Sequence, residues 1–130
     1  MSECRIMSQK NAVQDALIKY RDALQAYCPG QIERLILFGS QAKGDATAES
    51  DIDVLVVVNW ETEQLPGGFY RAPFSDPRWH AIIDLAYDVS LDYDVYLSPL
   101  VMSEREFQVW SPLVNRVKTE GIEIWKRSAN

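Results

Sequence analysis

The stretch Asp51 to Val58, DIDVLVVV, constrains the fold more than any other part of the chain. It ends in five apolar residues in succession, Val54 to Val58, four of them valine, without the alternation of a strand that has one wet face. Side chains branched at Cβ crowd a helix and suit a pleated sheet, so the run predicts a buried, central strand. Such a strand needs neighbours beside it and helices flanking it. The 130 residues are enough to supply both and to bury a core without disulfides or structural metal. One domain over residues 1–130 is expected.

The rest of the chain offers those neighbours. From Ser8 to Tyr27, apolar residues at Val13, Ala16, Leu17, Tyr20, Leu24 and Tyr27 follow the spacing of one helix face, and Cys28-Pro29-Gly30 stops the helix. Glu33 to Phe38, ERLILF, is a short strand ended by Gly39-Ser40. Asn59 to Ser75, with Pro66, Gly67, Gly68 and Pro73, reads as a loop. Asp76-Pro77 is an N-cap with proline at the first helical position. Trp79, Ile82, Ile83, Ala86 and Tyr87 give the expected buried face of that helix. Asp94 to Val101 is a third strand, which Pro99 shortens or places at an edge. Ser103 to Glu106 has capping-box spacing, Ser111-Pro112 opens a helix ending at Gly121, and Ile122 to Trp125 is a last short strand. The expected class is α+β, a small mixed sheet with flanking helices.

Charge narrows the function. Lys and Arg number 13 against 19 Asp and Glu, a net charge of −6, which disfavours nucleic acid as a direct partner because phosphate neutralisation needs clustered cations. Cys4 and Cys28 lack the companions of a zinc site. No apolar run reaches the roughly 20 residues of a membrane span, and the N-terminus has no signal-peptide core, so a cytoplasmic protein is expected.

The chemistry gathers between Leu35 and Val58. Alternate strand residues share a face, so Asp51 and Asp53 stand side by side with Cα atoms about 6.6 Å apart. Carboxylates about 5 Å apart repel by on the order of 3 kcal/mol at an effective dielectric near 20. Either a solvated strand entrance or a bound cation accommodates such a pair. Two carboxylates on a rigid face suit Mg²⁺, which leaves its other positions to water and phosphate oxygens. Gly39-Ser40, at the end of the neighbouring strand, is either a plain turn or a place where backbone amides and a hydroxyl meet phosphate. It is no Walker A loop, since no Gly-Lys-Ser or Gly-Lys-Thr follows.

Phe38-Gly39-Ser40-Gln41-Ala42-Lys43-Gly44-Asp45, followed by Ser50-Asp51-Ile52-Asp53-Val54, resembles the signature of the nucleotidyltransferases that share the DNA polymerase β catalytic fold. More narrowly, it resembles the minimal nucleotidyltransferases, small antitoxin proteins paired with HEPN-domain toxins. The resemblance implies that Gly39, Ser40, Lys43 and Ser50 hold a nucleoside triphosphate, ATP, and that Asp51 and Asp53 ligate Mg²⁺. It also implies a third carboxylate on a neighbouring strand, for which Asp94 is the candidate and Asp92 the reserve. Relatives often carry arginine where this chain has Gln41, which leaves Lys43 as the nearby cation.

The activity so implied is transfer of AMP from ATP to a hydroxyl with release of pyrophosphate. The acceptor would be a tyrosine of a HEPN-type partner, with homo- or hetero-oligomers as the setting. The alternatives are a contact-only antitoxin that keeps the fold, and transfer to a small hydroxylated molecule. His80 and the tryptophans Trp60, Trp79, Trp110 and Trp125 read as structural or contact residues, while Phe69, Tyr70 and Phe74 could cover a nucleotide or dock a partner.

Overall fold

A computed structural model describes residues 2–44, 46, 50–60, 63–64, 66–67, 70–71 and 76–128. The long apolar run forms β2 (Ile52–Val58), which pairs antiparallel with β1 (Ile32–Phe38) and parallel with β5 (Leu97–Ser103). On the far side of β1, β6 (Ile122–Lys126) pairs antiparallel, giving the order β5-β2-β1-β6. The parallel pairing of β2 and β5 requires a crossover, made by α3 (Pro77–Tyr93), and Pro99 sits on the edge strand β5 as expected.

The continuous apolar pattern of β2 is explained by its two faces. Ile52, Val54, Val56 and Val58 face one core, built with Ala16, Leu17, Tyr20 and Leu24 of α1 (Ser2–Tyr27) and Ile82, Ala86 and Val89 of α3. Leu55 and Val57 face a second core, with Ile36 of β1, Met102 of β5, Phe107 of α4 (Glu104–Gln108), and Val114 and Val117 of α5 (Pro112–Glu120). Each valine removed from water is worth about 1.5 to 3 kcal/mol, so the two layers clamp this strand most firmly. The Tyr20 hydroxyl, buried with it, donates to the Ile82 carbonyl at 2.9 Å and ties α1 to α3.

The helix starts behave as their sequences dictate. Asp76 Oδ1 accepts the Arg78 N–H at 2.9 Å ahead of Pro77, the Ser103–Glu106 capping box closes in both directions, and Ser111 Oγ accepts the Val114 N–H at 3.1 Å. Arg78 then folds its guanidinium 4.4 Å above the Trp60 ring, while its Nη1 and the indole N–H of Trp60 both donate to Gln31 Oε1.

Several boundaries differ from the sequence reading. The first helix begins at Ser2 rather than Ser8, and Tyr27, expected inside, is exposed at its end. Tyr87 is also exposed, because the row that meets the sheet is Ile82, Ala86 and Val89 and Tyr87 lies a step round the helix from it. Asp94 does not open a strand. The helix runs to Tyr93, Asp94 takes the left-handed conformation (φ 51°) that caps it, and β5 starts at Leu97. Ser90 makes this junction, donating to the Ala86 carbonyl and accepting the Leu97 N–H at 2.9 Å. A two-residue ladder, β3 (Glu63–Gln64) with β4 (Tyr70–Arg71), interrupts the expected loop, and Phe69 and Phe74 lie outside the described residues. Among the described residues no helix is long and apolar enough to cross a membrane.

Candidate active site

The site begins where β1 ends. Phe38 is the register partner of Asp53, so the residue after it, Gly39, comes up against the Asp53 side chain. Gly39 has φ 73° and ψ −152°, a region open essentially to glycine, and a Cβ there would collide with Asp53 Oδ2. Both facts demand glycine. Beyond it the chain turns at once into α2 (Ser40–Lys43), closed by Gly44 in the left-handed conformation.

Asp53 follows Ile52 and precedes Val54, both buried beneath α1 and α3, so its carboxylate stands on the opposite face, above the α4 and α5 core. It is half-buried, and burial pushes its carboxyl above the ordinary carboxylate range, with the charge of Asp51 adding to the rise. Asp51 is exposed at the entrance to the strand. Two carboxylates, the inner one partly desolvated and facing the charge of the outer one, make an oxygen donor set suited to a hard divalent cation, which would favour the charged form of Asp53. On this chemistry the pair fits Mg²⁺.

The structure therefore brings Gly39, Ser40, Asp51 and Asp53 to one end of two adjacent strands. Ser50, half-buried, leads directly into Asp51. Lys43 is occupied differently from the sequence reading: its Nζ lies 3.4 Å from Glu120 Oε2 of α5, with both side chains partly exposed. Such a surface pair is worth under about 1 kcal/mol and yields readily to a stronger anion. Asp94 and Asp92 are exposed at the end of α3, and among the described residues no three Asp, Glu, His or Cys side chains converge on a common point. Asp45 lies outside the described residues, and His80 is an exposed residue edge-on to Trp79, ring centroids 5.1 Å apart.

On the β5 side, two residues unmarked by the sequence reading border the carboxylates. Ser98 is the register partner of Asp53, and the Tyr96 carbonyl accepts the Ile52 N–H at 2.8 Å, which sets Tyr96 beside Asp51. Parallel register between strands separated by a helix leaves no trace in sequence spacing. Only the structure could find them.

A glycine turn against a strand-borne carboxylate pair is an arrangement suited to holding phosphate beside a divalent cation. Comparison with known proteins agrees in class: residues 17–123 match the nucleotidyltransferase domain model. A candidate protein adenylyltransferase of Methanocaldococcus jannaschii is 35% identical over 92 residues, covering 71% of this chain and 75% of the relative. A second from the same organism is 27% identical over 106 residues, covering 82% and 92%. Among solved structures, a candidate nucleotidyltransferase from Sulfolobus solfataricus superposes with TM-score 0.54 at 22% identity, covering 94% of this chain and 86% of that one. A toxin–antitoxin structure with AMP-PNP gives 0.52 at 19% identity, covering 83% and 72%. The chain belongs to the nucleotidyltransferase family, and the mixed sheet with its helices is that family's fold.

Proposed function

We propose that this nucleotidyltransferase transfers AMP from ATP to a protein hydroxyl, a tyrosine of a HEPN-type toxin partner, and thereby acts as its antitoxin. The observation that carries the reading is the apposition of Gly39 and Asp53. A backbone so tight that a methyl group would strike the carboxylate leaves the turn open to phosphate while holding the carboxylate at its edge.

In this reading Gly39 and Ser40 hold the triphosphate, with Lys43 released from Glu120 to reach it. Asp51 and Asp53 hold Mg²⁺, and Asp94, at the end of the helix, serves the acceptor. A divalent cation held by Asp51 and Asp53 would supply charge neutralisation of the phosphates and polarisation of the α-phosphorus. The acceptor oxygen forms a bond to that phosphorus, and the bond to the pyrophosphate oxygen breaks. Positioning and charge neutralisation supply most of the rate. The names of the two Methanocaldococcus jannaschii relatives support protein as the acceptor class. A partner also suits the outer face of α3, where Tyr87 and Leu91 are 66% and 67% exposed beside Asp84, Asp88 and Asp92.

The placement of Asp94 in a helix cap and the ion pair on Lys43 favour a second reading, a fold that neutralises its partner by contact alone. Mass spectrometry of a co-expressed partner separates the two. AMP transfer adds the mass of AMP less water to a tyrosine, and the addition disappears in Asp51→Asn and Asp53→Asn. An adduct that survives both substitutions overturns the site assignment. A stable complex with no adduct under any nucleotide establishes the contact reading instead.

A further inference from the structure

We infer that Tyr96 is itself a nucleotide acceptor, so that the protein adenylylates its own chain when no partner hydroxyl is present. The inference rests on the reading above and adds the direction from which an acceptor reaches the phosphate.

Strand order fixes that direction. The turn of Gly39 and Ser40 lies at the end of β1, the carboxylates at the start of β2, and β5 on the other side of β2. Pyrophosphate held over the β1 side must depart toward β1. Displacement at phosphorus runs in line, so the attacking oxygen approaches from the β5 side. Tyr96 is the exposed hydroxyl-bearing residue that stands there. Ile52 and Leu97 are register partners buried in the same core, and their preceding residues, Asp51 and Tyr96, therefore share the opposite face. Adjacent strands are about 4.8 Å apart, which puts the two side chains next to each other. A phenol reaches farther from the sheet than a carboxylate, so the Tyr96 hydroxyl extends beyond the Asp51 side chain. Tyr96 as a residue is 65% exposed, so its side chain is not committed to the core.

The step balances without further reagents. The Tyr96 oxygen bonds to the α-phosphorus of the nucleoside triphosphate, and the bond from that phosphorus to the bridging oxygen breaks. Pyrophosphate leaves with the electron pair, and the phenolic proton passes to water. The product is a tyrosine–AMP phosphodiester that occupies the acceptor side of the site.

Two measurements on the full chain test this. Incubated with Mg²⁺ and ATP alone, the protein is expected to gain one AMP on the peptide carrying Tyr96. Tyr96→Phe is expected to abolish the adduct without shifting the unfolding midpoint. The second readout requires no turnover: nitration by tetranitromethane, with and without Mg²⁺ and a non-hydrolysable ATP analogue. Tyr87, 66% exposed on the far side of the sheet, is the internal control. Nucleotide is expected to slow nitration of Tyr96 several-fold and leave Tyr87 unchanged. An adduct on another residue, or equal nitration of Tyr96 with and without bound analogue, overturns the inference. If the analogue binds in an Asp51- and Asp53-dependent manner but Tyr96 is neither modified nor protected, this inference alone fails. If no nucleotide binds, the functional reading falls with it.

Discussion

Replacing Gly39 with alanine imposes two separable costs. The backbone at φ 73° and ψ −152° lies where only glycine is at ease, which for any other residue costs about 1 to 3 kcal/mol. The new methyl also meets Asp53 Oδ2, with Asp53 Cγ at 3.3 Å and Cβ at 3.5 Å from it. The carboxylate must therefore swing off its rotamer, at about 0.5 to 1.5 kcal/mol. Gly39→Ala is thus expected to cost about 1.5 to 4.5 kcal/mol in all, summing the same two terms. In an Asp53→Ala background the colliding oxygen is gone, and the remaining Cβ contact is an ordinary one. The same glycine substitution should then cost only the backbone part. A double-mutant cycle by urea unfolding reads the difference directly, with an expected coupling of about 1 kcal/mol in favour of the double variant. Additivity within about 0.3 kcal/mol would show that the carboxylate does not lean on the glycine, and the proposed site would lose its central contact.

Asp53→Asn should stabilise the metal-free protein at neutral pH by about 1 kcal/mol, since repulsion between carboxylates about 5 Å apart spans roughly 0.8 to 3.3 kcal/mol between water-like and protein-like dielectrics and Asp51 is exposed. The folded Asp53 carboxyl titrates above its unfolded value, so the wild type's deficit is full above the raised value and fades as pH falls toward the ordinary carboxylate range. Thermal melts across that window check the sign, and an advantage that grows on acidification contradicts it. Asp94→Gly should raise stability by up to about 1 kcal/mol, because it relieves a left-handed residue. If Asp94 serves the acceptor, the same variant loses transfer, whereas full activity would reduce Asp94 to a helix cap. Arg78→Leu removes the cover of Trp60, takes away the guanidinium that pairs with Asp76 and leaves Gln31 Oε1 with the Trp60 indole N–H alone of its two donors, for an expected loss of about 1 to 2 kcal/mol by thermal unfolding. A change under about 0.5 kcal/mol would show the cluster to be surface decoration.

Most of the scaffold was legible because its signals are local. The valine run, the Asp76, Ser103 and Ser111 caps and Pro99 each state their geometry within a few residues, and each element lies where those signals put it. What could not be read depends on pairing at a distance. Tyr87 left the core because the helix presents a different row to the sheet, which sequence spacing alone does not orient. The apolar run after Asp94 looks extended and so predicts a strand from that residue. The bond between Ser90 and Leu97 instead fixes where the helix stops and the strand starts. The carboxylate pair and the glycine turn were legible from the alternation of a strand and a family signature. Their contact was not, because it depends on Phe38 facing Asp53 across the ladder.

That register also explains how a small fold could position charges accurately. Each carboxylate is next in sequence to a core residue: Asp51 precedes Ile52, and Asp53 lies between Ile52 and Val54, both almost fully buried. Cores are packed nearly as tightly as crystals, so these neighbours cannot shift without opening a void. The odd positions inherit the rigidity of the even ones. The hydrophobic energy of the α1–α3 layer thus holds the carboxylates on the other side of the same strand. A transfer reaction that depends on alignment needs that stiffness, since an error of about 1 Å can cost a hundredfold in rate. The apolar run and the acidic pair that opens it are therefore one device: the first fixes the strand, and the fixed strand aims the second.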